Sequence, residues 1–268
     1  QLGNHDNTWD CLRPQLRALH GSPFYSIEKF GARFIGFDTA TPQDPRPSIS
    51  AEGLAWLEHE LARTPPGQPV FFFCHHPLDG KEFASAYDTA RLLELLRSRN
   101  VVLLLVGHGH GRRRWQVDGF DSVMGGSTFG KRTGFGIVSV KNGVLRVCHQ
   151  QLLPMRRMFP AIEKPLAPAP PLASAPEIAP PDGAVFRQGA PLEWTLRFDG
   201  MTSTALTALE LGGKPVPEAQ WRAGAMTARL DRAGLKGGAH VARFDAVDAL
   251  GRPSHRTVSF WLDKGPAR

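Results

Sequence analysis

The feature that most constrains the fold is a pair of short apolar segments in the first half of the chain. The segment "VVLLLV" at 101–106 is apolar at every position, which is typical of a strand buried on both faces, and "PVFFFC" at 69–74 is an apolar run of similar length. The patterns at 48–63, where Ser50 is a candidate N-cap, and near 88–99 predict helices. Helices that alternate with buried strands predict a layered α/β domain.

The residue pattern changes twice in the rest of the chain. From Pro160 to Pro181 it is rich in proline and alanine, which suits a semi-rigid linker. Residues 182–268 then contain segments that alternate apolar and polar residues, "PLEWTLRF", "AHVARFDAVD" and "HRTVSFWL", with glycine-containing turns between them. We therefore predict an α/β domain over 1–159, a linker over 160–181 and an immunoglobulin-like β-sandwich over 182–268. Further strands of the first domain are predicted at 32–38, 112–118, 120–124, 134–140 and 143–149.

The composition limits the partners and the location of the protein. The 268 residues carry a formal net charge of +7 and have a pI of about 9.7, which favours anionic partners such as phosphate esters, nucleic acid or a membrane surface, although solubility alone also explains such a charge. No apolar run is long enough for a transmembrane helix. Three cysteines without CxxC spacing indicate neither a disulfide framework nor a zinc motif. By analogy, the linker and the sandwich favour a secreted or periplasmic location over a cytoplasmic one.

Residues suited to metal binding follow the predicted strands. His75 and His76 come after "PVFFFC", and "GHGH", with His108 and His110, comes after "VVLLLV". The chain opens on "QLGNHD", and we place Asn4–Asp6 after the end of a third strand. Alone, each segment is more often a turn or a structural histidine. Together they predict one metal site, because ligands bind beyond the carboxyl ends of strands in such folds and imidazole is the commonest ligand for zinc, iron and related metals.

The order "GNHD … HHP … GHGH" resembles the calcineurin-like metallophosphoesterase superfamily over about residues 1–150. The resemblance implies two mixed sheets packed face to face with helices outside, and a site of two divalent or trivalent ions, such as Mn, Fe or Zn, bridged by a carboxylate. It implies hydrolysis of a small anionic phosphomonoester or phosphodiester. Nucleic acid is a substrate that the charge allows but that no motif indicates.

Carried over residue by residue, the resemblance implies a role for each polar residue of the motifs. Asn4, His75 and His108 would bind one metal, and His110 would bind the other. His5 would donate a proton to the leaving oxygen or stabilise the phosphoryl charge. His76 would lie behind the ligands, and Asp6 would help to orient the loop.

The sequence departs from the family pattern at its beginning. The DxH and GDxxD motifs that precede GNHD in the family do not occur here, so we expect an N-terminally truncated chain whose active site is completed by residues upstream. The alternative is an inactive phosphoesterase-like scaffold that acts as a binding protein. A metal-dependent amidohydrolase is disfavoured because its HxH cluster usually lies near an N-terminal strand without GNHD.

Three other features allow both a functional and a structural interpretation. Arg112–Arg114 follow GHGH and either steer an anionic substrate or, as we favour, form a solvated strand edge. The segment "GGSTFGKRTG" at 125–134 is close to the phosphate-binding pattern GxxxxGK[ST], but Arg132 replaces the required Ser or Thr after Lys131. It either borders the site or forms a hairpin. Trp9 either shapes a substrate wall or belongs to the core.

Overall fold

The computed structural model describes residues 2–8, 12–42, 44, 46–79, 82–83, 85–131, 133–166, 173, 175–197, 205–217, 221–223, 227–231, 234–247 and 251–263. Contacts divide the chain into two compact units, one formed by Gln1–Ser85 with Arg99–Pro171 and the other by Ala86–Ser98 with Leu172–Arg268. No helix among these described residues is long and apolar enough to cross a membrane. The expectations for Trp9, Cys11 and Arg132 lie outside the described residues.

The first unit contains three helices and nine strands among its described residues. The helices are α1 (Asn4–Thr8), α2 (Arg13–His20) and α3 (Ala51–Ala62). The strands are β1 (Tyr25–Lys29), β2 (Ala32–Gly36), β3 (Val70–Phe73), β4 (Val101–Val106), β5 (Arg112–Val117), β6 (Phe120–Gly125), β7 (Gly134–Lys141), β8 (Val144–Gln151) and β9 (Arg157–Pro165).

Six of these strands form a mixed sheet in the order β1-β2-β3-β4-β6-β5. Strands β2, β3, β4 and β6 are parallel, and the edge strands β1 and β5 run antiparallel to their neighbours. The other three strands form an antiparallel sheet in the order β7-β8-β9. The mixed sheet with flanking helices confirms the predicted layered α/β class, and the second sheet is antiparallel throughout its described residues.

The two sheets of this unit pack face to face through apolar side chains that alternate along their strands. The shared core contains Ala32, Phe71, Leu103 and Val123 from the mixed sheet and Leu145, Val147 and Ile162 from the antiparallel sheet. On the opposite face of the mixed sheet, Phe72 meets Phe37 at a ring-centroid distance of 5.8 Å. Helix α3 covers that region, because Gly53 lies so close to Phe37 that an added Cβ would be 2.9 Å from its ring. Ser50 caps α3 as predicted, since its side chain accepts a hydrogen bond from Gly53 N.

The parallel pairing of β3 and β4 brings two histidine-bearing strand ends to one edge of the sheet. Phe73 lies opposite Leu105 in the register, and backbone hydrogen bonds continue past both strands. Cys74 N donates to Leu105 O at 3.1 Å, and Gly107 N donates to His75 O at 2.8 Å. These backbone hydrogen bonds therefore hold the segment that carries His75 beside the segment that carries His108.

The second unit is a β-sandwich together with helix α4 (Ala86–Leu96). Its strands are β10 (Glu177–Ala179), β11 (Ala184–Phe186), β12 (Leu192–Arg197), β13 (Ala205–Leu211), β14 (Lys214–Pro215), β15 (Trp221–Ala223), β16 (Thr227–Leu230), β17 (Gly238–Val247) and β18 (Pro253–Leu262). One sheet has the order β10-β12-β16-β15 and the other β11-β18-β17-β13-β14, with β11 and β18 parallel and the other pairs antiparallel. Trp194 is fully buried in the core between the two sheets.

Helix α4 is attached to the rest of the second unit by the buried carboxylate of Glu94 and by Arg97. Glu94 accepts a hydrogen bond from Thr257 N at 2.6 Å, and Arg97 donates to Pro253 O at 2.8 Å.

Strands occupy both ends of the segment 160–181, for which the sequence predicts a linker. Strand β9 extends to Pro165, and β10 lies near the end of the segment. Proline is tolerated in β9 because that strand lies at a sheet edge, where one row of N–H groups has no partner strand. The predicted domain boundaries stay a prediction.

Candidate metal centre

Three imidazoles and one side-chain amide meet where β3 and β4 end. Asn4 Oδ1 lies 3.1 Å from His75 Nε2 and 3.3 Å from His108 Nδ1. His76 joins them, because one nitrogen from each of His75, His76 and His108 lies within 4.8 Å of the others. Two imidazole nitrogens and an amide oxygen at these separations fit ligands that share one ion at bond lengths of about 2.0–2.2 Å.

The electrostatics of the cluster also fit a cation. Burial, together with the neighbouring His108, lowers the pKa of His75 to about 4. Burial likewise lowers the pKa of His76 to about 3, with additional contributions from His75 and His108. Both rings are therefore neutral at physiological pH, so each has a nitrogen lone pair available for a metal.

Glycines of two separate motifs enclose the His75 ring. A Cβ added at Gly3 would lie 2.7 Å from His75 Cε1, and one added at Gly107 would lie 3.2 Å from His75 Nδ1. The first distance is below any normal contact between carbon atoms. Glycine is thus required in GNHD, and favoured at the start of GHGH, because the backbone approaches the ring from both sides.

The backbone of GHGH adopts its left-handed conformations at the histidines, with φ of 62° at His108 and 53° at His110, rather than at the glycines. Gly109 instead provides room for the side chain of Met124, since an added Cβ would lie 2.9 Å from Met124 Cε. A left-handed non-glycine residue costs about 1–3 kcal/mol and persists where its surroundings hold it, which is common at functional sites.

His76 is held in the cluster by Thr39, which follows β2. Its ring is fully buried, and its Nδ1 hydrogen-bonds Thr39 Oγ1 at 2.9 Å. Its Nε2 has no hydrogen-bond partner among the described residues. The neighbouring rings of His75 and His108 lie at centroid distances of 4.8 and 4.7 Å. The resemblance places His76 behind the ligands, and the structure packs its ring directly against His75 and His108.

A carboxylate that sequence reasoning missed reaches the same cluster. Glu82 Oε2 lies 3.3 Å from His108 Nε2, on the side of the ring opposite Asn4. Burial raises the pKa of this carboxyl; His108 opposes the increase and Asp79 adds to it. Only the tertiary fold brings Glu82 to His108, so no local sequence pattern could have revealed the pair.

One family model matches the part of the chain that contains these residues. The family model of the calcineurin-like phosphoesterases matches residues 2–112, a range that contains Asn4, His75, His108 and His110. Residues 2–112 belong to a calcineurin-like phosphoesterase domain. No curated protein matches the chain by sequence.

Solved structures resemble both parts of the chain at low identity. Vps29 from Entamoeba histolytica, as a single mutant, is 11% identical, with 49% of this chain and 98% of that chain covered and a TM-score of 0.25. CopC from Methylosinus trichosporium OB3b is 18% identical, with 34% and 95% covered and a TM-score of 0.26. The fibronectin(III)-like modules of CbhA from Clostridium thermocellum are 16% identical, with 47% and 66% covered and a TM-score of 0.24.

The remaining predicted site residues, Asp6, His5 and His110, lie outside the three-imidazole cluster. Asp6 accepts a hydrogen bond from Gly3 N at 2.7 Å through Oδ2, a contact that spans Asn4. This turn is the start of α1, whereas we expected only a loop after a strand. His5 is exposed on α1. His110 lies outside the three-imidazole cluster and packs against Phe129 at a centroid distance of 5.0 Å.

The basic residues after GHGH form other contacts. Arg112 stacks on Phe159, Arg113 lies over Trp115, and Arg114 pairs with Asp121 at 3.5 Å. All three are exposed, in agreement with the solvated strand edge that we favoured over a role in substrate steering. The glycine-rich segment joins β6 to β7, which lie in different sheets, so it is not a hairpin, and its Phe129 borders His110.

Replacement of Gly3 by Ala tests the enclosure of His75 without removing any donor. The added methyl group displaces the His75 ring, so we expect Zn²⁺ or Mn²⁺ to bind about 10–100-fold more weakly, the range seen when a group that orients a metal ligand is lost. Gly67→Ala is the matched control, because the space around Gly67 is open. Calorimetric titration measures both variants. Equal affinities would mean that the enclosure does not position His75.

The depressed pKa values predict how the metal-free protein responds to acid. Between the ordinary imidazole pKa of 6.5 and about 3–4, the unfolded chain binds protons that folded His75 and His76 do not. The free energy of unfolding should therefore be unaffected by these groups above pH 6.5 and should fall as the pH decreases below it. His76→Asn, whose amide can still bond Thr39, should flatten this decrease in urea unfolding, whereas His59→Asn on the exposed side of α3 should not. Parallel curves for the wild type and His76→Asn would contradict the assignment.

Proposed function

We propose that the protein hydrolyses phosphoester bonds of small anionic substrates with the help of divalent or trivalent metal ions. The observation that carries the proposal is the convergence of Asn4 Oδ1, His75 Nε2 and His108 Nδ1 within the domain that matches the phosphoesterase family model. An amide oxygen with two imidazole nitrogens suits borderline ions such as Mn, Fe or Zn. When bound, such ions supply Lewis acidity toward phosphoryl oxygens.

In this proposal, different residues of the chain would bind metal, donate a proton and hold the site in position. Asn4, His75 and His108 would hold one ion, and His110 would contribute to a second. His5, which is exposed beside the cluster rather than part of it, would donate a proton to the leaving oxygen. Asp6 would keep the turn at Gly3 closed, and with it the position of Asn4.

The second candidate is an inactive phosphoesterase-like scaffold that binds metal or a partner without turnover. One observation favours it: the three histidines that the described residues bring within 4.8 Å of one another include no carboxylate, and Glu82 reaches them only through His108 Nε2. A bridging carboxylate is what sets the spacing of two ions and compensates their charge. Turnover therefore separates the two candidates, and metal content alone does not.

The His108→Ala and His5→Ala variants test the proposed roles together. His108→Ala should lose bound metal and turnover of bis(p-nitrophenyl) phosphate, because a ligand is gone. His5→Ala should keep its metal and be slowed by about 10²–10⁴-fold on alkyl phosphoesters, and less on nitrophenyl esters, because a good leaving group needs little protonation. Elemental analysis gives the metal content, and steady-state kinetics gives the leaving-group dependence.

His59→Ala serves as the control, since His59 is an exposed histidine on α3. A wild-type protein that binds metal but turns over no phosphoester would support the scaffold. A His5→Ala variant that loses metal, or that is equally slow on every ester, would show that His5 is not the proton donor.

A further inference from the structure

Glu82 occupies a position that the proposed roles leave unexplained. Its Oε2 atom is shielded from solvent and accepts no hydrogen bond of good geometry among the described residues. A buried carboxylate oxygen without a donor costs free energy, so a nearby N–H group is expected to satisfy it. The nearest such group is His108 Nε2, at 3.3 Å.

The two nitrogens of His108 face different partners. Nδ1 faces Asn4 Oδ1 at 3.3 Å, and Nε2 faces the Glu82 carboxylate at the same distance. A neutral imidazole carries one proton, and a hydrogen bond to a carboxylate is roughly twice as strong as one to a neutral amide. The proton therefore belongs on Nε2, which leaves the Nδ1 lone pair directed toward Asn4 and His75.

We propose that Glu82 is a positioning residue that fixes the Nε2–H tautomer and the ring orientation of His108, so that Nδ1 is available to a metal. This inference rests on the proposed metal site. Among the described residues, the ligand atoms that lie within 4.8 Å of one another belong to His75, His76 and His108, and Glu82 is not in this group. This favours a role for Glu82 behind His108 over direct ligation of the metal. A carboxylate that accepts the second N–H of a metal-binding histidine raises the basicity of the ligand and holds its ring.

Nitrogen NMR of the metal-free protein, labelled with ¹⁵N-histidine, tests the proposal at pH 8.5, and His108→Ala provides the assignment. We expect the wild type to show His108 as the Nε2–H tautomer. Glu82→Ala should shift the population toward Nδ1–H, because it removes the carboxylate that faces Nε2 and keeps Asn4 Oδ1, the acceptor that faces Nδ1. Glu82→Gln keeps a hydrogen-bond acceptor and should lie between them. Asp79→Asn is the matched control, because that carboxylate pairs with Arg113 instead.

Zinc titration of the same variants gives the second measurement. Glu82→Ala should weaken binding by about 10–100-fold, and Asp79→Asn should leave it unchanged. An Nδ1–H tautomer in the wild type would overturn the proposal. So would weaker zinc binding by Glu82→Ala with an unchanged tautomer, which would make Glu82 a direct ligand.

The NMR result decides the role of Glu82 even if no phosphoester is hydrolysed or no metal binds, so the two proposals can fail separately. If Glu82→Ala does not fold, the isosteric Glu82→Gln still tests the tautomer.

Discussion

The packing of the His75 imidazole between Gly3 and Gly107 is the constraint on which the rest of the site depends. The ring receives the backbone of one motif on each side, and its Nε2 meets Asn4 Oδ1 at 3.1 Å. Gly107 is also tied to His75 by a backbone hydrogen bond that extends the β3–β4 pairing. The parallel sheet thus sets the position of His75, and His75 in turn sets how closely the GNHD and GHGH segments approach each other.

Burial makes this arrangement suited to a cation. Removing His75 and His76 from water disfavours their protonated forms, so the fold assembles neutral nitrogen donors where three imidazoles would otherwise repel one another as cations. The partners around His108 complete the arrangement. Asn4 faces one ring nitrogen and Glu82 the other, while the left-handed backbone at His108 turns the ring between them. These contacts hold the donor side chains of the site in a preorganised arrangement.

The sequence predicted what periodicity and motif order encode. Strand β4 at 101–106, the cap at Ser50 and the alternation of β12 follow from local patterns, and all three are confirmed. The convergence of Asn4, His75 and His108 followed from the expectation that parallel strands end at one edge. Glu82 was missed because its segment has no periodic pattern and its partner is distant in sequence.

The central claim is that Asn4, His75 and His108 bind one metal ion while Glu82 stays behind His108. A crystal structure of the protein grown with Zn²⁺ or Mn²⁺, with data collected on both sides of the metal absorption edge, tests it most directly. The account predicts an anomalous difference peak bonded to Asn4 Oδ1, His75 Nε2 and His108 Nδ1, with Glu82 hydrogen-bonded to His108 Nε2. A peak bonded to Glu82, or the lack of any peak between these three side chains at saturating metal, would contradict it.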